Sequence, residues 1–345
     1  MTLGYTLLGD SGLRVSRIAL GTMTFGTDWG FGAEPAECAR QVETYAQAGG
    51  NFIDTAVNYT GGSSEKILAD IIASDRERWV VATKYSLSRR DGDPNASGNS
   101  RKNLVNSLEQ SLRAMRTDRI DVYWLHVWDF LTSTDEVMRA LDDQVRAGKV
   151  LYIGISDTPA WLVARMQTMA ELRGWSPFVG LQIKYSLADR DVERELLPMA
   201  KTLGLGVTAW GPLSAGVLTG KYNRPATEGE PRRLGDEPSP RHLAIAAVVV
   251  DVAKRLGVEP AQVALAWVLH QGAIPIVGAR STQQLSQTLA SVDVALDADA
   301  LAALEAVSRI DLGFPHDFVE NNDIRHIMYG GTRDTIDVPP GRRRT

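Results

Sequence analysis

Eight short apolar runs, rich in β-branched and aromatic residues, recur along the chain, and a segment with helical spacing of its apolar residues follows each of them. The runs span residues 18–21, 51–54, 79–83, 120–126, 150–155, 180–183, 205–209 and 274–277. The helical patterns cover 35–48, 64–73, 101–115, 135–147, 159–172, 192–203, a long 241–271 region and 282–290. Strands without polar alternation are expected where both faces are covered, and strict strand-helix alternation requires parallel pairing through right-handed crossovers. Eight such units close into a (β/α)8 TIM barrel of class α/β, expected over about residues 18–290. The polar opening at 5–15 predicts an N-terminal β-hairpin ahead of it. A doubly wound sheet would carry Gly-x-Gly-x-x-Gly after its first strand, and Ile18-Ala19-Leu20-Gly21-Thr22-Met23 has no such turn.

Composition narrows the partners. With 345 residues, 44% of them hydrophobic, the chain can bury one large core, and it is read as a single barrel domain over 1–345 with a C-terminal tail from about 311. Segments 86–100 and 222–240 read as long loops. A net charge of −5 offers no pull toward phosphate polyanions or anionic lipid, so neither nucleic acid nor a membrane is an expected partner. The basic run Arg342, Arg343, Arg344 reads as a solvated tail. Cys38 is the sole cysteine, so no internal disulfide can form, which fits a reducing cytoplasm. The longest apolar run, 244–250, stops at Asp251 and is too short to span a bilayer.

In a closed parallel barrel, catalytic groups sit where strands end. Asp54 ends the second run, Lys84 follows the third, His126 ends the fourth, and Tyr59 lies in the loop after Asp54. Taken singly, a loop Tyr is a surface residue, a strand-end Asp a helix cap, and a lone His a packed core residue. Together they make an acid-base set. Reducing a carbonyl needs a hydride on carbon and a proton on oxygen, and a phenol of pKa near 10 is a weak donor alone. An adjacent ammonium stabilises the phenolate, a carboxylate keeps that ammonium charged, and an imidazole can bond the substrate oxygen. A Lys and a His at the ends of apolar strands would be costly without partners, and convergence at one mouth supplies them.

At these residues the sequence resembles the aldo-keto reductase family. The matching blocks are Asn51-Phe52-Ile53-Asp54-Thr55-Ala56, Ala82-Thr83-Lys84, Leu125-His126, Gly148-Lys149-Val150 through Ser156, Leu181-Gln182-Ile183-Lys184-Tyr185, Trp210-Gly211-Pro212-Leu213 and Ile274-Pro275-Ile276-Val277-Gly278-Ala279-Arg280. The resemblance implies Tyr59 as general acid with Asp54, Lys84 and His126 as partners, and a nicotinamide cofactor. It places Gly21, Thr22, Met23 and Asp54 beside that cofactor, Ser156, Asp157 and Gln182 on the carboxamide, and Trp210 flat against the ring. It folds Gly211, Pro212, Leu213, Ser214, Gly216, Leu218 and Lys221 over the pyrophosphate, and sets Gly278, Ala279, Arg280, Gln284 and Thr288 around the adenosine. Arg280 can then bond a 2′-phosphate, which favours NADP(H) over NAD(H). Three positions depart from the family: Thr60 replaces a Gly, Asp157 an Asn, and Thr288 an Asn that meets adenine.

Trp29, Phe31, Tyr59, Tyr85, His126 and Trp128 are the expected substrate pocket, suited to an aromatic or bulky apolar carbonyl. Only Arg89 and Arg90 are placed to clamp a substrate anion. Within the family the opening Ser11-Gly12-Leu13-Arg14-Val15-Ser16 and Leu20-Gly21-Thr22-Met23-Thr24-Phe25-Gly26 is similar to a bacterial, aryl-alcohol-dehydrogenase-like subgroup. A rival implication is a cofactor-binding regulatory subunit resembling the β subunits of potassium channels. A metal-dependent hydrolase is excluded, because the five histidines, at 126, 242, 270, 316 and 326, contain no His-x-His pair. No metal is therefore expected.

Overall fold

The strands form where the apolar runs lie. A computed structural model describes residues 2–225 and 237–337. Most of the 222–240 loop and the run Arg342 to Arg344 therefore lie outside the described residues. Strands β1 (Tyr5–Leu7) and β2 (Arg14–Ser16) pair antiparallel as the expected hairpin. Then come β3 (Ala19–Gly21), β4 (Phe52–Asp54), β5 (Val80–Tyr85), β6 (Ile120–Leu125), β7 (Val150–Ser156), β8 (Phe178–Lys184), β9 (Gly206–Trp210) and β10 (Ile274–Val277). Each pairs in parallel with its neighbours, and β10 returns to β3, closing the barrel. This is the expected (β/α)8 architecture.

Side chains alternate between two cores, as a period of two demands. Ala19, Phe52, Val80, Ala82, Val122, Trp124 and Ile274 fill the barrel. Their sequence neighbours, such as Leu20, Ile53, Val81, Tyr123 and Leu125, pack outward against the helices. Trp124 dominates the interior. A Cβ on Gly154 would lie 2.3 Å from its ring and one on Gly180 2.8 Å, so two neighbouring strands give up side chains to admit one indole. The hairpin closes the barrel's N-terminal end: Leu8 and Val15 join the interior core, and Asp10 N–H donates to Gly204 O at 2.9 Å.

The outer helices match the periodic segments closely: Pro35–Gln47, Ser63–Ile72, Arg101–Met115, Thr134–Arg146, Ala160–Arg173 and Thr282–Leu289. Two expectations need correction. The 241–271 region is two helices, Pro240–Leu256 and Pro260–His270, because Gly257 turns left-handed (φ 69°) and Pro260 restarts the chain behind a Glu259/Gln262 capping box. The 192–203 segment contracts to Leu196–Thr202, since Pro198 has no N–H to donate and fits only within a first turn. One further helix, Ala298–Ser308, follows the region read as barrel.

The chain divides into two compact units, residues 1–308 and 309–345. In the second, where the pattern defines no element, helices His316–Glu320 and Asn322–Tyr329 form. Asn321 caps the latter, its side-chain oxygen accepting from the N–H groups of Asp323 and Ile324.

Candidate active site

Asp54, Lys84, Ser156, Gln182 and Trp210 belong to the alternating positions that face the barrel interior, near the C-terminal ends of β4, β5, β7, β8 and β9. Geometry follows from that parity. The Lys84 ammonium is fully buried and makes a salt bridge with Asp54 Oδ2. It also donates to Thr55 O at 2.9 Å and to the Tyr59 hydroxyl at 3.1 Å. The other Asp54 oxygen accepts from Gln182 Nε2 at 3.0 Å. The carboxylate is thus held from both sides, and the ammonium is aimed at the phenol.

Burial pulls the Lys84 pKa down, yet Asp54 and Tyr59 reverse that and push it above the usual lysine value. Lys84 is therefore a cation at neutral pH. Tyr59 differs from the simplest expectation. Withdrawal from water pushes its phenol up, and the nearby ammonium opposes this without overcoming it, while Asp54 adds to the rise. The resting phenol keeps its proton, as a general acid must. His126, half-buried with its ring 6.2 Å from that of Tyr59, is pushed down to about 3 by burial and by Lys84. Its imidazole is neutral, and its Nδ1 is buried without a partner among the described residues.

The pocket residues separate into two groups. Trp29 stands edge-on to Tyr59 at 6.4 Å and 6.0 Å from Phe31, both exposed, so Trp29, Phe31, Tyr59 and His126 make one aromatic wall. Tyr85 is not part of it. As the neighbour of Lys84 on β5 it faces outward, fully buried and stacked on Tyr123 at 5.3 Å. Trp128 is likewise buried in the outer core. Arg89 is no free clamp: it donates to Gln110 Oε1 and Asn103 Oδ1 at 2.8 and 3.0 Å, and Arg90 pairs with Asp93.

Around this centre the residues fit a dinucleotide. Ser156 Oγ is buried with no partner among the described residues, as an atom that meets a ligand's amide would be. Trp210 is exposed, and its indole N–H donates to Asp157 Oδ1 at 3.0 Å. Next, Ser214, Ala215 and Gly216 hold successive left-handed φ values of 46°, 52° and 90°, and Lys221 Nζ would lie 3.1 Å from a Cβ on Gly216. That run of backbone suits an anion, although the N–H groups of Ser214, Gly216 and Leu218 donate within the loop itself.

Gly21 is dictated by packing, since a Cβ there would lie 2.8 Å from Ile276. Thr22 is fully buried, its hydroxyl donating to Asp54 O at 3.3 Å, whereas Met23 is exposed. At the far end, Ala279 is buried, Arg280 N–H donates to Gln284 Oε1 at 3.1 Å, and Thr288 spends its hydroxyl on Leu285 O at 2.8 Å. Glu37 already accepts from Thr282 at the start of helix Thr282–Leu289 and is lowered to about 2, first by that side chain. Two of the departures explain themselves: Thr60 (φ 46°) and Asp157 (φ 37°) are left-handed, where Gly and Asn are the easy residues. Thr60 gains compensation from donating to Phe25 O at 2.8 Å. Sequence reasoning missed the Asp54–Gln182 and Asp157–Trp210 bonds, and no local signal marks either, because both join residues from different strand ends.

The Aldo/keto reductase family matches residues 17–309. The chain belongs to this family. A norsolorinic acid reductase of Emericella nidulans is 39% identical over 90% of this chain and 82% of its own. An aryl-alcohol dehydrogenase of Pestalotiopsis microspora is 36% identical (91% and 84%), and an oxidoreductase of Bacillus subtilis 37% (88% and 95%). The likeness is therefore not confined to bacterial members. The chain is an NAD(P)H-dependent oxidoreductase of carbonyl-reducing type. No helix among the described residues is long and apolar enough to cross a membrane, and no group of three His, Cys, Asp or Glu among them could hold a metal.

Proposed function

We propose that the protein reduces an aryl or bulky apolar aldehyde or ketone to its alcohol, reversibly, with Tyr59 as general acid and NADPH as preferred cofactor. The observation that carries this reading is the 3.1 Å bond from the Lys84 ammonium to the Tyr59 hydroxyl. When bound, the dinucleotide supplies the hydride that adds to the carbonyl carbon. Tyr59 gives its proton to the carbonyl oxygen, and Lys84 meets the phenolate left behind. Asp54 and Thr55 O keep the ammonium charged and in place. Neutral His126 donates to the same carbonyl oxygen without adding a charge. Trp29 and Phe31 offer the apolar wall beside Tyr59.

In this reading Ser156 and Gln182 receive the carboxamide with Asp157 beside them, Trp210 carries the ring, and the 211–221 loop with Lys221 covers the pyrophosphate. Gly21, Thr22 and Met23 line the approach, and Gly278, Ala279, Gln284 and Thr288 surround the adenosine. The guanidinium of Arg280 has no bond or ion pair among the described residues, which leaves it open to a 2′-phosphate. The relative named as an aryl-alcohol dehydrogenase supports an aryl-alcohol-dehydrogenase-like assignment. A cytoplasmic setting is supported by the single cysteine, Cys38, with which no internal disulfide can form.

The test follows loss of reduced-nicotinamide absorbance with 4-nitrobenzaldehyde, aryl ketones and quinones, using both cofactors. Turnover with aryl carbonyls and NADPH is expected. Tight NADPH binding with scarcely any turnover would instead favour a regulatory subunit.

A further inference from the structure

Asp157 occupies a costly backbone position. Its φ of 37° is left-handed, which Asp tolerates better than most residues but does not prefer. The turn has a visible consequence: from the end of β7, the carboxylate reaches past β8 and accepts the indole N–H of Trp210, at the end of β9, at 3.0 Å. Burial raises the Asp157 pKa, and the Trp210 bond and Lys84 both oppose that rise, so the carboxylate sits in a site where its bonds matter. Lys184 restrains the same indole. Its ammonium lies over the ring at 5.9 Å and is fixed by Asp189 at 2.7 Å. One edge of Trp210 is therefore held by Asp157, and Lys184 lies over one face of its ring.

We infer that Asp157 is a positioning residue that sets the plane of the Trp210 ring, through the indole N–H, for stacking of the nicotinamide. The inference rests on the reading of Trp210 as the nicotinamide platform. It assigns the departure at residue 157 a role toward protein, whereas the resemblance assigns it one toward the carboxamide. An asparagine keeps an acceptor oxygen at this position and tolerates the same backbone, so it can do the same work. A glycine relieves the backbone and removes the acceptor, which separates strain from hydrogen bonding.

The experiment is a double-mutant cycle on the full chain, read as NADPH affinity by tryptophan-fluorescence quenching and as kcat. Asp157→Gly should weaken NADPH binding about tenfold and lower kcat with it, while Asp157→Asn recovers most of the loss. In a Trp210→Phe background, which keeps a ring but no donor, Asp157→Gly should cost less than about twofold further. The same tenfold loss in both backgrounds overturns the positioning role alone and leaves Asp157 acting on the cofactor. Unchanged NADPH affinity in Trp210→Ala overturns the platform reading, and the inference falls with it.

Discussion

The two ends of the proposed cofactor site are built on opposite plans. At the reacting end every charged group is already paired: Lys84 holds Asp54, Thr55 O and the Tyr59 hydroxyl, and Asp54 also accepts from Gln182. These side chains stand on strand ends, buried and locked to one another. At the adenosine end, backbone and hydroxyl groups satisfy themselves locally, as Arg280 N–H does with Gln284 and Thr288 with Leu285 O, while the Arg280 guanidinium waits. A group that must transfer a proton has to be aligned before the ligand arrives. A group that only holds a phosphate can be aligned by the phosphate's own charge. Mutations at the first end should therefore cost stability and turnover, and mutations at the second only affinity.

The strongest way to break this contrast is Lys84→Met. It leaves Asp54 as a buried charge without its cation and should lower unfolding free energy by about 3–5 kcal/mol in urea. Turnover of the remaining folded protein should fall by more than about 100-fold. A variant as stable as the parent would mean that the buried pair is not load-sharing with the fold. Tyr59→Phe isolates the chemistry, since the ring and its contact with Trp29 remain. Its kcat should drop by about 100-fold or more with NADPH affinity nearly unchanged, and an undiminished kcat removes Tyr59 from the mechanism.

The same contrast governs how much the sequence discloses. The barrel is legible because burial on both faces leaves β5 and β6 mostly apolar, with Thr83 and Asp121 as interior exceptions, and the polar Lys84 and His126 mark their C-terminal ends. Tyr85 is misplaced for an instructive reason. Adjacent strand residues face opposite sides, so once Lys84 points inward Tyr85 cannot, and its stacking on Tyr123 follows. The split at Gly257 and Pro260 was also written in residue types, whereas the Asp157–Trp210 bond was not. It depends on the register of β7, β8 and β9 and on one left-handed turn, which no local pattern encodes. Nor does any pattern foretell that burial outweighs the ammonium at Tyr59, because that balance is a property of depth.

At the adenosine end, Arg280→Ala should weaken NADPH by about 10- to 100-fold and leave NADH within about twofold, measured as dissociation constants at fixed ionic strength. Because the guanidinium bonds no protein group among the described residues, the thermal midpoint should not move. Equal losses for both cofactors would show that Arg280 contacts something they share, and a lower midpoint would show a structural role.

The smallest effect should come from Thr288→Asn, and it probes the contrast most finely. Thr288 donates its hydroxyl to Leu285 O, one turn back in helix Thr282–Leu289, so it has no remaining donor to offer a ligand. Asparagine at this half-exposed position has two donors and an acceptor and a longer reach. One net hydrogen bond to adenine should tighten NADPH and NADH alike by about threefold to fivefold, with kcat unchanged. A gain for NADPH alone would place residue 288 at the phosphate. No gain for either would put the adenine elsewhere, and the far end of the site would then have to be rebuilt around Arg280 alone.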